Sequence, residues 1–361
     1  MASAGRVCGL TSLANVVDRQ EPRATRLEDV ARLAGVSLST ASRVLNGSTR
    51  QVSAEMSRRV LEAARKLGYT PNVHAQAVAR GTSNLVGLVV HDIADPYFSS
   101  IAAGVMRVAD EHGLVVTVCN TIRDPDREIG YVALLRAQRA RAVILVGSRF
   151  TDKELLTRLA NEIDAFRRGG GRVACVSQRK LAADTVLPEN RAGARALARD
   201  LVGLGHRRFA VLAGPETMLT ARDRLAGFRD GLAAAGISLE RDQIIHGAFT
   251  RDGGYAAAEE LIRRGLDVTC VFAVNDVMAV GAIAAFRAHG VTVPADVSVA
   301  GFDDIVTLRD LVPSLTTVHL PLEEMGVEAA RLAFGPEPGD TPRLVRVPGE
   351  VVLRESTRRL T

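Results

Sequence analysis

From residue 85 onward the chain alternates short apolar runs with amphipathic stretches, and this alternation restricts the fold more than any other feature. The runs are "LVGLVVH" from Leu85, "LVVTVC" from Leu114, "AVILVG" from Ala142 and "RVACVS" from Arg172. A second set follows: "RFAVLAG" from Arg208, "DQIIHGAF" from Asp242, "CVFAVND" from Cys270 and "VSVAGFDD" from Val297. Between them lie helical patterns such as "GVMRVADEHG" and "GYAAAEELIRRG". Strands covered on both faces read as continuous apolar runs, and strand–helix alternation gives parallel, doubly wound sheets. Two sets of about four strands predict an α/β body of two lobes, with a ligand cleft at the strand C-terminal ends. The composition suits this: 47% hydrophobic, 4% aromatic and no Trp.

Charge sets the preceding segment apart. Residues 23–84 hold ten Arg or Lys against four Asp or Glu, whereas the whole chain carries a formal charge of only +5. The first 22 residues balance, so the body from 85 onward is near −1. A basic head on a nearly neutral body points to a polyanionic partner.

The head reads as three short helices. In "TRLEDVARLAGVS", Leu27, Val30, Ala31 and Ala34 form one apolar stripe. Thr25 and Glu28 have capping-box spacing, Gly35 ends the helix, Val36 tucks inward and Ser37 caps the next one. Two helices joined by a short Gly-containing turn make a helix-turn-helix. A third helix from Ser53 to Leu67 offers Val60, Leu61, Ala64 and Leu67 to close a small core. In "VSLSTASRVLNG", Ala41, Val44 and Leu45 face inward, leaving Leu38, Ser39, Thr40, Ser42 and Arg43 outside. Arg grips guanine O6 and N7, hydroxyls reach phosphates, and Leu38 suits a thymine methyl.

"LEDVARLAGVSLSTASRVLNG" followed by "VSAEMSRRVLEAARKLGYTPN" resembles the DNA-binding head of the LacI/GalR family of bacterial transcriptional regulators, and the similarity continues to about residue 355. The resemblance implies that Leu38, Ser39 and Arg43 read bases. Thr40, Ser42, Asn46, Tyr69 and Asn72 would hold phosphates, which supply register and salt-dependent affinity. Three departures stand out. The stretch from Asn46 to Val52 is one residue longer than the family pattern, Met56-Ser57 replaces the usual Thr-Arg, and Arg26 replaces a capping Thr, with Thr25 as its substitute.

"NVHAQAVARG", residues 72–81, is too short and too poor in large apolar residues for a stable lone helix. Read alone it is a flexible linker. The resemblance implies a hinge that folds on the operator, with Ala75 and Val78 facing DNA and Val78 at the position of a minor-groove wedge. A valine wedge is shorter and β-branched, so shallower insertion and a weaker bend are expected.

For the body the resemblance implies a periplasmic-binding-protein-like fold. The expected domains are a disordered extension at 1–22, a helix-turn-helix domain at 23–70, a hinge at 71–84 and an effector-binding, dimerising body at 85–361. Lobe 1 is expected at about 85–188 and 321–345, lobe 2 at about 189–320 with the tail. Polar residues just after predicted strands are the cleft candidates: Asp92, Tyr97, Phe98, Arg224, Phe249, Asn275 and Asp303. An amide, a carboxylate, a guanidinium and aromatic faces together suit a polyhydroxylated ring. The resemblance assigns all of these but Asp92 to an effector. Capping of the following helix is the competing role for Asn275 and for Asp303 or Asp304. Ser177 stands where several sugar-binding members have Asp, which removes one acceptor of a sugar hydroxyl; Met218 stands where a purine-binding member has an effector-holding Arg, which favours a sugar over a nucleobase.

No Ser-His-Asp order, HExxH, GxGxxG after the first strand or GxxxxGK[ST] occurs, so no catalytic activity, cofactor or metal is expected. His206, at a helix-to-strand turn, reads as structural. Cys8, Cys119, Cys175 and Cys270 are isolated and read as small hydrophobes in a reducing compartment. No apolar run approaches 18 residues and no signal peptide is evident, so a cytoplasmic protein is expected. The expected function is a dimeric DNA-binding regulator, a repressor of a palindromic operator, controlled by a small-molecule effector. A solute-binding protein without DNA function, or a regulator with a nucleobase effector, are the alternatives.

Overall fold

The computed structural model of the protein describes residues 25–45, 52–70, 83–265, 267–336, 339 and 341–360. The expectations for 1–22, Cys8, Asn46, Asn72, Ala75 and Val78 lie outside the described residues. The chain divides into two units, Met1–Gln76 and Ala77–Thr361.

The first unit contains α1 (Leu27–Ala34), α2 (Leu38–Leu45) and α3 (Ala54–Lys66). Gly35, at φ 63°, stops α1 in the left-handed conformation, and the Val36 amide closes back on Ala31 O at 3.1 Å. Ser37 Oγ accepts from the Thr40 amide and starts α2. Ser53 does the same for α3 through the Met56 amide. Two expectations fail here. Thr25 does not cap α1: its hydroxyl donates to Leu67 O, tying the start of α1 to the end of α3, and Asp29 accepts from the Arg26 amide instead. Leu61 is 45% exposed, and Ala63 takes its place in the core beside Val60 and Ala64. With small side chains lining both helices, α1 and α3 approach closely enough for alanine to fill the gap.

The second unit is an α/β body with two parallel sheets. Its first part runs β1 (Leu85–Val90), α4 (Pro96–Glu111), β2 (Val115–Asn120), α5 (Pro125–Ala137), β3 (Ala142–Val146), α6 (Lys153–Arg168), β4 (Arg172–Val176) and β5 (Asp184–Pro188). The chain then crosses into α7 (Asn190–Gly203), β6 (Phe209–Ala213), α8 (Leu219–Ala233), β7 (Ile244–His246), α9 (Arg251–Arg263), β8 (Cys270–Ala273), α10 (Asp276–Ala288) and β9 (Ser298–Ala300). It returns through β10 (Thr317–His319) to α11 (Leu322–Phe334) and β11 (Leu344–Val347), and crosses again to β12 (Glu350–Val352).

The strand orders are β11-β5-β4-β3-β1-β2 and β7-β6-β8-β9, each paired in parallel, while β10 and β12 form an antiparallel pair in the crossings. The apolar runs named from sequence supply eight of these strands. The four others, β5, β10, β11 and β12, are short or interrupted by Asp, Arg, Pro and His, and so carry no apolar run. Strand β7 is shorter than its run because Arg241–Gln243 forms a 3-10 turn.

Helices α4 and α11 cross at glycines. A Cβ on Gly104 would overlap Glu323 O, and one on Gly326 would overlap Ile101 O, so the backbones touch. The lobe cores are otherwise largely aliphatic, with Phe228 stacked on Phe272 and meeting Phe209 edge to face inside the second lobe. Cys119, Cys175 and Cys270 are buried. His206 is fully buried, its ring nitrogens bonded to Thr269 Oγ1 and Arg358 O, a structural role. Among the described residues no helix is long and apolar enough to cross a membrane.

Candidate functional site

In the head, α2 buries only Ala41, with Val44 and Leu45 packed at the core margin. Leu38, at 47% exposure, Ser39 and Arg43 face solvent, and Thr40 and Ser42 are half-buried. Ser39 Oγ and Thr40 Oγ1 both lie within hydrogen-bond distance of Ser37 Oγ. Arg43 has no carboxylate partner among the described residues. A methyl-bearing side chain and a hydroxyl in the first turn of α2 and a guanidinium in its last turn are therefore left outward, residue types suited to major-groove readout. Tyr69 packs against the head core rather than standing free.

In the body, the C-terminal ends of strands from both lobes converge on one cavity. Six of the seven cleft candidates line it: Tyr97, Phe98, Arg224, Phe249, Asn275 and Asp303. Asp92 does not. Its carboxylate stands behind the wall and accepts from Arg123 Nη1 at 3.1 Å.

Arg224, 2% exposed on α8, is held on every side. Its Nε donates to Asn190 Oδ1 (2.8 Å), Nη1 to Val274 O (2.7 Å) and Asp303 Oδ2 (3.2 Å), and Nη2 to Asp303 Oδ1 (2.6 Å). The guanidinium also lies 3.9 Å over the Phe302 ring. Asp303 sits at φ 122°, a conformation a non-glycine residue adopts only when its surroundings hold it there. The hold comes from Arg224 and from the Asp303 amide bonded to Val318 O at 2.9 Å. Burial pushes the Asp303 carboxyl up to about 6, against the opposing pull of Arg224. Asn275 Oδ1 caps α10 by accepting from the Met278 amide, the competing role weighed from sequence, and the residue also lines the cavity.

Lobe 1 supplies residues that sequence inspection missed. Asp95 caps α4 by accepting from the Tyr97 amide, and burial raises its carboxyl above the usual range. Arg123 follows β2, with Nη2 3.7 Å from Asp95. His91 is fully enclosed, and burial reinforced by Arg149 and Arg123 lowers it to about 3, so it is neutral. Gln178, not Ser177, faces the cavity after β4, while the Ser177 hydroxyl turns back to Gln178 O. The same end-of-strand rule that found Asp92 and Asn275 would have found Arg123 and Gln178.

The lobes are stitched at the cavity mouth. Phe150 and Met218 form an antiparallel bridge, flanked by Thr151 N to Thr217 O and Leu219 N to Arg149 O, both 2.9 Å. Gln178 Nε2 donates to Thr220 Oγ1, and the Thr220 amide donates to Ser148 Oγ. The cavity inside is narrow, with about 40 Å³ open to the centres of water-sized molecules. A sugar ring needs the lobes to part. Among the described residues no cluster of His, Cys, Asp and Glu is arranged to hold a metal ion.

A helix-turn-helix unit and a two-lobed body with its cavity at the strand ends, in one chain, define a class of DNA-binding proteins with a ligand-binding body. Comparison with known proteins agrees on both parts. Residues 26–72 match "Bacterial regulatory proteins, lacI family", and residues 198–357 match "Periplasmic binding protein-like domain". The HTH-type transcriptional regulator DegA of Bacillus subtilis (strain 168) is 34% identical over 339 residues, covering 92% of this chain and 98% of DegA. The structure of a CelR–cellobiose complex is 33% identical with a TM-score of 0.65, covering 92% of this chain and 99% of that one. A lac repressor dimer bound to operator and the anti-inducer ONPF is 28% identical with a TM-score of 0.77, covering 93% and 100%. The chain belongs to the LacI/GalR family of bacterial transcriptional regulators.

Proposed function

We propose that the protein is a dimeric repressor that binds a palindromic operator through α2 and is controlled by a sugar held in the interlobe cavity. The observation that carries the DNA half is the division of labour on α2, which gives Ala41 to the core and leaves Leu38, Ser39 and Arg43 outward. Leu38, Ser39 and Arg43 select bases, while Thr40, Ser42, Asn46, Tyr69 and Asn72 contact phosphates, and Ala75 and Val78 belong to the hinge. The lac repressor bound to operator is a dimer, and the same assembly is assigned here because two heads are needed to read two half-sites.

The sugar assignment rests on the cavity's amides, carboxylates and aromatic faces, and on the cellobiose complex of the similar CelR. Met218 supports it further: a buried thioether at this wall offers a purine no polar partner. A ligand shifts the lobes only as far as it favours one arrangement over the other. The proposed coupling runs through the stitched mouth, which a bound ring would force to repack.

Binding of the purified full chain to random-sequence, then selected, duplexes at several salt concentrations tests the DNA half. A palindromic consensus with a steep salt dependence is expected, and sequence-indifferent binding would refute it. Thermal unfolding against pentoses, hexoses, disaccharides and nucleobases tests the effector half. A midpoint rise with a sugar, lost in Asp303→Ala, is the expected outcome.

A further inference from the structure

The cavity holds arginines, yet none of them has positive charge to spare. Arg224 has used its Nε, both Nη1 positions and one of the two on Nη2, leaving one N–H, and its charge is matched bidentately by Asp303. Arg123 lies between Asp92 and Asp95. Arg149, at the mouth, is matched by Glu128 through two hydrogen bonds. On the wall itself Arg123 and Arg224 are balanced by Asp95 and Asp303, and Asp92 behind it adds a further carboxylate against Arg123.

Helix N-termini are the other usual seat for an anion, and at the cavity those of α4, α8 and α10 have first-turn amides already taken. Asp95 takes the Tyr97 amide of α4. Ser148 Oγ and Arg149 O take the Thr220 and Leu219 amides of α8. Asn275 takes the Met278 amide of α10. His91 is neutral in its enclosed position. A phosphate or carboxylate entering this space would meet guanidiniums whose charge is already matched, beside carboxylates that repel it, in a setting too enclosed for water to screen them.

We infer that the cleft selects an uncharged effector and rejects its phosphorylated or acidic counterpart, and that Asp92 and Asp95 set this choice by neutralising Arg123. The inference deepens the sugar reading and rests on it. With its charge matched, Arg123 is a hydrogen-bond donor for hydroxyls rather than a phosphate clamp.

The test uses the full chain and matched pairs: glucose with glucose 6-phosphate, ribose with ribose 5-phosphate, and cellobiose with cellobionate, each measured by calorimetry and thermal unfolding. At least one neutral sugar is expected to bind, with its anionic partner about tenfold weaker or more. An anion that binds as tightly as its neutral partner, or tighter, overturns charge selection while keeping a sugar site. Absence of binding in both series overturns the sugar reading and this inference with it. The Asp92→Asn/Asp95→Asn double variant, in which the side-chain amide introduced at position 95 still caps α4, is expected to narrow the neutral-to-anion ratio about tenfold. Circular dichroism and the unfolding midpoint establish that it is folded. An unchanged ratio in the folded variant would show that these two carboxylates are not the determinants.

Discussion

Arg149 and Glu128 form a bidentate ion pair with both side chains out of solvent: Nη1 to Oε2 is 2.9 Å, Nη2 to Oε1 is 2.8 Å, and the residues are 2% and 3% exposed. The pair anchors the backbone that joins the lobes, because Arg149 O accepts from the Leu219 amide and the Arg149 amide donates to Gln178 Oε1. Removing one partner of such a pair strands the other charge. Glu128→Ala is therefore expected to destabilise the body by about 3–5 kcal/mol in urea unfolding. Glu128→Gln, which keeps an acceptor, should cost less. Equal losses would mean that packing, not charge, dominates at this site.

Asp276 makes stability pH-dependent in a defined window. Burial, helped by Asp303, raises its carboxyl to about 8, while Thr317 Oγ1 and the Ile305 amide pull the other way. A carboxyl raised on folding binds a proton more readily in the native state, so stability falls as pH climbs from the unfolded value toward 8. His91, lowered to about 3 on folding, has the opposite slope, but that slope ends near the unfolded histidine value of about 6.5. Between about pH 6.5 and 8 the Asp276 effect is therefore free of it. The unfolding midpoint is expected to drop across that interval, and Asp276→Asn should flatten the drop.

Arg43 stands outward on α2 without a carboxylate partner among the described residues, so its loss should not disturb the head. Arg43→Ala is expected to weaken specific operator binding by about 1–3 kcal/mol and to relax preference at one base position. Non-specific binding should change little. Competition binding with single-base operator variants separates these outcomes, and a uniform loss across sequences would reassign Arg43 to a phosphate.

The α4–α11 crossing tolerates no side chain. At Gly104 and Gly326 an added Cβ meets a carbonyl oxygen of the facing helix. Gly104→Ala is expected to cost about 1–3 kcal/mol by forcing the helices apart. An unaltered urea midpoint would show that the crossing can shift freely.

Much of this architecture was legible locally. Apolar strands such as Ala142–Val146 and the capped, periodic helices of the head announce themselves because their signal spans neighbouring residues. Ser37, Ser53 and Gly35 act within a turn of where they stand, and Phe249, Asn275 and Asp303 stand within three residues of a strand end. Contacts between distant residues did not announce themselves. Thr25 bonds Leu67, 42 residues away, so local capping spacing misled. Arg224 meets Asp303 across 79 positions. Whether Asp92 lines the cavity or stands behind Arg123, and whether Ser177 or Gln178 faces it, turns on which side of a strand end each residue occupies after packing. Local periodicity and capping are properties of the chain itself. The charge balance of the cleft arises only when separate elements bring carboxylates and guanidiniums within hydrogen-bond reach, and that was left to the tertiary structure.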